Sequence, residues 1–338
     1  MAPFHIDAGL IKTIPFSLKA IQSGLFFTNR FKSMQTKALW AGVAAHSMLP
    51  LHKPATNAFA LMLLLAGHKK GWPVAKGGAQ TIADILAGYF RSLGGVIETN
   101  RRIESIEQLP HATAILFDVT PDQLLKIAGD RLSSIYKWQL KNYKYGMAVY
   151  KTDWALSEPV PYTNKNCLRS ATVHIGNTID DIRRSEYDAW TGKTTKHPFI
   201  ILTQPSLFDR RTTGDGHTAW AYCHVPNGYI GNRSDIIEQQ VEKIAPGFKD
   251  CILERHITGP AQLEKYNSNY IGGDINGGRQ DLSQLFTRPA LRWSPYKTSA
   301  KEIYICSSST PPGGGVHGLC GYYAAKSALK HRFGIRMD

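Results

Sequence analysis

The chain has few cysteines, no long apolar run and no excess of acidic residues among its 338 positions. Five scattered cysteines are too few for a disulfide framework, and they predict reduced thiols. The longest apolar run, residues 58–67, has about half of the roughly 20 residues that a membrane-spanning helix needs. The opening MAPFHIDAGLIKTIPF lacks a basic start followed by an apolar stretch, so we expect no signal peptide and a cytoplasmic protein.

Several motifs that would carry chemistry are also missing. No CxxC, HxxxH or HExxH occurs, so we predict no metal site, and the absence of GxSxG argues against a serine hydrolase. The net charge of +14 comes from Lys and Arg residues that are scattered along the chain without interleaved aromatics. This pattern predicts no nucleic-acid partner. It leaves open a solvated basic surface, peripheral contact with an anionic membrane, or a phosphate ligand.

Apolar spacing predicts the organisation of the first half. Residues 1–75 read as mostly helical. A glycine pair then precedes a helix whose apolar residues recur at helical spacing on one face, and Gly94-Gly95 ends it. These residues are Ile82, Ile85, Leu86, Tyr89, Phe90 and Leu93. Short strands are predicted at residues 96–99, at RRIESI and at residues 114–118, which makes segment 76–125 an α/β unit.

The second half of the chain has a different residue pattern at first and then returns to an α/β pattern. Residues 126–295 alternate aromatic and Thr-rich strands with turns, which predicts a mainly antiparallel sheet with a few helices. One of them is a helix over residues 234–245 with Ser234 as N-cap. The last segment, 296–338, reads as a buried strand, a glycine-rich loop and a helix from Leu319. The fold class predicted is therefore α/β (α+β) with two lobes.

The loop before the last helix is the most informative stretch. Gly313, Gly314 and Gly315 carry no β-carbon, so backbone could approach a flat or phosphorylated ligand closely. The unpaired N–H groups at the helix start and the helix dipole favour negative charge there. Such a site suits a pyrophosphate or the N1–C2=O edge of a flavin. The alternative is a turn that merely connects a strand to a helix.

Seven segments, taken in order, resemble one family. They are residues 44–56, 71–86, 145–161, 219–228, 245–256, 269–278 and 306–325. Together they are similar to FAD-dependent oxidoreductases of the phytoene-desaturase and amine-oxidase superfamily, and most of all to its phytoene-dehydrogenase-like branch, which includes pyridine nucleotide-disulphide oxidoreductase domain-containing proteins. The resemblance implies a partial FAD/NAD(P)-binding, Rossmann-like domain formed by 76–125 and 296–338, and a substrate lobe formed by the rest.

The resemblance also implies a cofactor, FAD, and a set of residues near it. Ile103 would lie by the adenine, and His317 is the candidate catalytic residue. Gly273 and Asp274 would form a second turn near the flavin, and for Asp274 the alternative is a carboxylate that caps a turn. The residues expected at the flavin itself are Gly313, Gly314, Gly315, Val316, His317 and Gly318.

The chain departs from the family pattern in one respect. The family begins with a strand, a GxGxxG turn and a helix that bind the ADP pyrophosphate, and no GxGxxG in that context occurs here. The function expected by analogy is hydride transfer from an apolar, isoprenoid-like substrate to flavin N5. The alternative is a truncated, non-catalytic fragment, or one half of a split flavoprotein whose partner chain supplies the head. Strands left exposed by a missing head would favour association, including a homo-oligomer.

Other candidate residues have a plainer interpretation. His46, His174 and His224 lie near family-like motifs, but packed or exposed sheet positions explain the last two. Lys151 and Asp153 could line the second lobe or form a surface pair on a strand. Six aromatics of that lobe favour an apolar substrate: Trp154, Tyr162, Phe199, Phe208, Trp220 and Tyr222.

Overall fold

Two separate sheets organise the chain in a computed structural model that describes residues 10–209, 216–285 and 287–337. The strands are β1 (Ile115–Phe117), β2 (Ala148–Leu156), β3 (Thr172–Ile175), β4 (Ile200–Thr203), β5 (His217–Val225), β6 (Ile252–Thr258) and β7 (Ile303–Ile305). The helices are α1 (Leu10–Ala20), α2 (Gly24–Phe27), α3 (Met34–Ala44), α4 (Thr56–Lys70), α5 (Gln80–Ser92), α6 (Pro121–Ala128), α7 (Ser134–Lys141), α8 (Ile179–Trp190), α9 (Ser234–Ile244), α10 (Pro260–Tyr266) and α11 (Leu319–Arg332). Residues 1–9 of the predicted helical segment lie outside the described residues.

The larger sheet is antiparallel, as predicted for residues 126–295, with the strand order β3-β4-β5-β2-β6. Side chains alternate between its two faces. One face packs on α9 through Ile237 and Val241. The other packs on α3 and α8, where Phe199 and Ile201 meet Ile182. Both faces of this sheet are therefore packed against helices of the same chain.

The smaller sheet pairs β1 and β7 in parallel, with Ile115 opposite Ile303 and Phe117 opposite Ile305. Helices α6 and α7 pack on it in one core that includes Leu124. The predicted boundary after residue 125 lies inside α6. The other edge of β7 is bonded by the preceding segment, because Ile305 N donates to the Tyr296 carbonyl at 2.9 Å. Among the described residues, β1 is left as an edge strand.

Three local predictions are wrong. Residues 96–99 and 101–105 are described and form no strand, since they have no neighbouring strand with which to bond. The run at 114–118 does form the predicted strand, over three residues, and Leu116 on it is 39% exposed. The N-cap of α9 is Arg233, and Ser234 instead donates its hydroxyl to Asn232 Oδ1 at 2.7 Å.

Helix α5 forms where its periodicity predicts it, but it has no buried residue. Its apolar face is therefore not part of a core in this chain. All five cysteines are free thiols, in agreement with the prediction from their number and spacing.

Candidate functional site

A small cavity lies where the two parallel strands end. It has a volume of about 150 Å³, and Asp118 and Thr120 line it from the segment after β1, while Ser307 and Ser308 line it from the segment after β7. Gly277 closes it from the turn after α10. In open α/β sheets, ligands bind outside the carboxyl ends of parallel strands. The cavity lies at that end of the β1–β7 pair.

Burial raises the pKa of both ionisable groups at this edge. Burial raises the pKa of Asp118 above its usual range. Burial, with smaller contributions from Asp118 and Cys320, raises the pKa of the Cys306 thiol to about 12. A thiol that stays protonated at neutral pH is a poor nucleophile. Cys306 therefore fills space at the strand end.

A wider groove of about 790 Å³ continues from the small cavity, and both are lined by Asn267. Ile103 lies on its wall together with Val119 and Gln123. The volume is within the range of pockets that hold cofactor-sized molecules. The structure thus places Ile103 in the same groove system as the ends of β1 and β7, although the strand predicted around it does not form.

Asp274 has its carboxylate wholly enclosed. Its two oxygens accept three backbone N–H groups, from Gly146 at 2.6 Å, Asn276 at 2.7 Å and Gly278 at 3.0 Å. Burial raises its pKa, although these bonds act in the opposite direction. This is the geometry of the turn-capping alternative. The neighbouring Gly273 has a packing requirement, because a β-carbon there would lie 2.6 Å from Pro260. Cofactor contact by either residue stays a prediction.

The glycine loop has an inner half that packs on the protein itself. A β-carbon at Gly313 would lie 2.7 Å from Gln280 Oε1, and one at Gly314 would lie 3.1 Å from Asn276 Oδ1. Gly313 also has a φ of +104°, which favours glycine, and both residues lie where two turns approach closely. The same contacts bring the loop beside Gly277 and hence beside the cavity at the strand ends.

The outer half of the loop faces solvent and leads into α11. Val316 is 95% exposed, and Gly315, His317 and Gly318 are also exposed. His317 accepts a hydrogen bond from Leu319 N at its Nδ1, at 3.0 Å, so its ring satisfies one of the N–H groups at the start of α11. The residue has a structural role that sequence reasoning did not foresee. Its catalytic role stays a prediction.

Arg288 is the residue that sequence reasoning missed. It is 1% exposed, and its Nη2 donates to Tyr143 Oη at 2.8 Å and to the Gly277 carbonyl at 3.2 Å, while Nε donates to the Ser309 carbonyl at 3.3 Å. Its Nη1 has no hydrogen-bond partner and lies near Gly313. One guanidinium thus joins the 277 turn to the segment before the glycine loop. No sequence motif surrounds it.

The aromatic residues expected to line a substrate site are divided between core and surface. Trp154, Tyr162 and Phe199 are each 2% exposed or less, so they cannot touch a substrate. Trp220 and Tyr222 are half-buried and stacked, with ring centroids 6.1 Å apart. These six residues therefore support an apolar substrate less strongly than the sequence indicated.

An apolar cluster nevertheless adjoins the small cavity. Ile275 lines that cavity, and it packs against a group made of Met48, Met147, Val149 and Ala189. Methionine side chains adapt their shape to irregular partners.

The remaining candidates form pairs of their own. His224 Nδ1 bonds the buried Glu186 carboxylate at 2.7 Å, and His46 Nε2 meets His174 Nε2 at 3.0 Å. Lys151 bonds Asp153 on β2, which matches the alternative of a surface pair on a strand. Within the described residues, no group of three or more His, Cys, Asp and Glu side chains could hold a metal ion. None of the described helices has the length and hydropathy to cross a membrane.

Comparisons with known proteins were made by sequence and by structure. No protein-family model matches the chain. It is 26% identical over 340 residues to pyridine nucleotide-disulfide oxidoreductase domain-containing protein 2 of Mus musculus, which covers 88% of this chain and 58% of the relative. It is 22% identical over 357 residues to phytoene desaturase (lycopene-forming) of Pseudescherichia vulneris, covering 97% of this chain and 70% of that protein. The chain thus spans little more than half the length of the mouse relative.

Solved structures show the fold. A triple variant of putrescine oxidase superposes with a TM-score of 0.53 at 12% identity, covering 93% of this chain and 68% of that chain. Wild-type putrescine oxidase bound to putrescine gives a TM-score of 0.51 at 11% identity over the same shares. The predicted fold class, α+β with a Rossmann-like part, is confirmed.

Proposed function

Because this chain belongs to the phytoene-desaturase and amine-oxidase superfamily, we propose that it is an FAD-dependent oxidoreductase. The observation that carries the proposal is the convergence of three features at one end of the parallel pair. They are the cavity after β1 and β7, the glycine loop, and the start of α11. A strand, a glycine turn and a helix start together form an anion-binding arrangement.

The residues present fit part of an extended dinucleotide. Ile103 and Val119 would face its adenine end in the wide groove. Thr120 and Ser307 would meet its middle at the strand ends, and residues 315–318 would meet the flavin. The unpartnered Nη1 of Arg288 supplies one buried donor near Gly313. A buried donor without a partner is costly, and it favours an acceptor nearby.

Bound FAD would accept a hydride or an electron pair at flavin N5. The chain itself would position the ring with the backbone between Gly313 and Leu319, and the N-terminus of α11 would favour negative charge beside it. The substrate proposed is apolar and isoprenoid-like. Two points support it: the cluster around Met48, Met147 and Ile275 next to the cavity, and the similarity to a phytoene desaturase.

Titration of FAD into the purified chain tests the cofactor site. We expect flavin fluorescence to change on binding. Gly315→Leu should weaken binding roughly tenfold or more, about 1.4 kcal/mol. The reason is that residue 315 has φ +144° and a β-carbon there would lie 2.8 Å from the His317 ring.

Gly192→Leu is the matched control. Gly192 also has a positive φ, +84°, but no atom lies within 4 Å of its β-carbon position, and it follows α8 on the other lobe. Thermal unfolding of both variants separates backbone strain from loss of the site. If Gly315→Leu binds FAD as well as the parent chain, the proposed placement of the loop fails.

A second candidate function is favoured by one observation, the small size of the parallel sheet. Two strands are marginal as a dinucleotide-binding sheet, and here β1 remains an edge. We therefore also propose that this chain acts as one half of a flavoprotein whose dinucleotide-binding head is supplied by a separate unit. Colourless protein that shows no change with FAD alone, but binds FAD once that unit is present, would support this candidate over autonomous activity.

A further inference from the structure

The outward face of α7 and a neighbouring loop expose large apolar side chains next to each other. In the loop, Trp293 is 93% exposed and Leu291 is 75% exposed. On α7, Ile135 is 74% exposed and Trp138 is 66% exposed. The loop lies on the helix, because Leu291 N donates to Gln139 Oε1 at 2.7 Å. Exposed apolar side chains that gather on touching elements mark an interaction site.

The end of α11 adjoins the same loop. The hydroxyls of Ser294 in the loop and Ser327 in α11 share a hydrogen bond at 3.0 Å. His331, near the end of α11, lines a cleft of about 380 Å³ together with the loop. Phe333 follows directly after the helix and is 52% exposed. Helix α7, the loop and the end of α11 therefore form one surface.

Basic side chains lie among these apolar ones. Arg292, Lys297 and His331 line the cleft. Burial, with the charges of Lys297 and Lys330 nearby, lowers the pKa of His331, so these three basic side chains are close together. On α7, Lys141 is exposed. A local concentration of positive charge attracts an anionic partner.

Acidic residues are missing from the segments that build this surface. Residues 131–152, 282–301 and 303–337 contain no Asp or Glu. Glu302 lies between two of these segments and pairs with Arg131 at 3.4 Å. The positive charge of the surface is therefore not balanced by acids from its own segments.

We propose that this surface binds an anionic phospholipid bilayer. The amphipathic rings of Trp138 and Trp293 suit the level between headgroups and acyl chains, and the basic side chains suit the lipid phosphates. The contact is peripheral, since an interfacial surface enters only the headgroup region. We call it the basic–apolar surface, and it is made of Ile135, Trp138, Lys141, Leu291, Arg292, Trp293, Lys297, Lys330, His331 and Phe333.

Two other occupants fit less well. A second copy of the chain would bring two surfaces of the same charge together. A single-stranded nucleic acid would stack its bases on aromatic rings, but Ile135 and Leu291 offer no ring for stacking. Aliphatic side chains mixed with basic ones favour lipid.

Sedimentation with vesicles tests the basic–apolar surface in the full chain. We expect binding to mixed phosphatidylserine and phosphatidylcholine to be roughly tenfold or more stronger than binding to phosphatidylcholine alone, and to weaken as salt rises. Lys297→Glu combined with Lys330→Glu should reduce binding by roughly tenfold or more, because it reverses two charges. Trp293→Ser should reduce it about tenfold, because the ring no longer enters the interface.

Matched variants elsewhere in the chain locate the effect. Lys193→Glu combined with Lys196→Glu makes the same change of charge at two exposed positions after α8. Trp72→Ser removes a tryptophan that is 58% exposed just after α4. Both should bind vesicles as the parent chain does. Trp293→Tyr keeps an amphipathic ring and should retain most of the binding, which separates loss of the interfacial ring from misfolding.

Equal binding to the two kinds of vesicle would overturn the assignment. So would a loss in Trp72→Ser, or in the Lys193 and Lys196 double variant, as large as that in Trp293→Ser. Single-stranded RNA that displaces the chain from vesicles would assign the surface to a nucleic acid instead, and a dimer that Trp293→Ser dissolves would assign it to a second copy. Sedimentation needs no FAD, so its outcome is independent of the proposed cofactor site.

Discussion

The antiparallel sheet and the parallel pair differ in how completely this chain covers them. Helix α9 packs on one face of the antiparallel sheet, and α3 and α8 pack on the other. The parallel pair has α6 and α7 against it, yet β1 is an edge and α5 buries nothing. The difference shows that the apolar pattern of a helix or strand specifies which of its faces must be buried, but not which element will pack against that face.

The polar interior does not follow this contrast. In the antiparallel lobe, Glu238 is enclosed and accepts from Trp154 Nε1 at 3.0 Å and from Arg255 Nε at 2.9 Å. At the carboxyl edge of the parallel pair, Arg288 still has an unpartnered nitrogen. Buried polar groups are normally paired. Both regions contain exceptions, since Thr152 Oγ1 and Arg233 Nε in the antiparallel lobe also lack a partner.

The largest effect expected is a stability difference between matched leucines in the two regions. Leu156→Ala in β2 should lower the free energy of unfolding by about 2–5 kcal/mol, because its side chain is fully buried and its loss leaves a cavity. Leu86→Ala in α5 should change it by about 0.5 kcal/mol or less, since that side chain is 64% exposed. Urea unfolding measures both. Equal losses would show that α5 is packed and would remove the contrast.

A smaller effect is expected at the turn that joins the two regions. Arg288→Ala should destabilise the fold by about 1–3 kcal/mol, because Tyr143 Oη and the Gly277 carbonyl lose a buried donor. The matched control is Arg292→Ala, whose guanidinium is exposed and lies over the Tyr136 ring at 5.4 Å. Thermal unfolding compares the two. A control loss as large as that of Arg288→Ala would contradict the assigned role.

The smallest effect is a dependence on pH in the antiparallel lobe. Burial, with nearby His174 and His224, lowers the pKa of His46 to about 3, and burial lowers that of His174 to about 4, from an ordinary 6.5. Below pH 6.5 the unfolded chain therefore binds protons that the folded chain does not. Stability should be greatest above that pH and fall as the pH drops towards 4, by up to about 1.4 kcal/mol per pH unit for each of the two histidines.

Denaturant unfolding at a series of pH values tests this dependence. His174→Asn should flatten the slope. His197→Asn, at an exposed position, should leave it unchanged. A slope that is the same in all three proteins would place the acid sensitivity elsewhere.

Sequence patterns were most reliable where the signal was local. The spacing from Ile82 to Leu93 predicts α5, and the small residues after Gly318 precede α11, because helix periodicity and glycine stops depend on neighbours in the chain. The prediction of a strand at residues 96–99 was wrong because strand formation does not depend on local spacing alone. A strand is completed by hydrogen bonds to a distant segment, and no such segment lies beside it.

The glycines of the candidate site were predictable from the sequence, but the residues that pack against them were not. Gly313 to Gly318 stand out in the sequence, whereas the contact of Gly313 with Gln280 and Arg288 joins segments that are far apart along the chain. From the sequence alone, Asp274 could either lie near the flavin or cap a turn. Its three backbone bonds decide its local role, since their donors come from the segment that enters β2 and from its own turn.

By itself, the sequence determined the order of elements, the face of each helix that seeks cover, and the likeness to a flavoprotein family, because these depend on composition and on local spacing. Only the tertiary structure decided which faces are covered, that Arg288 ties two turns together, and that His317 accepts a hydrogen bond from the first residue of α11. Such facts depend on where distant segments meet, and that is set by packing of the whole chain.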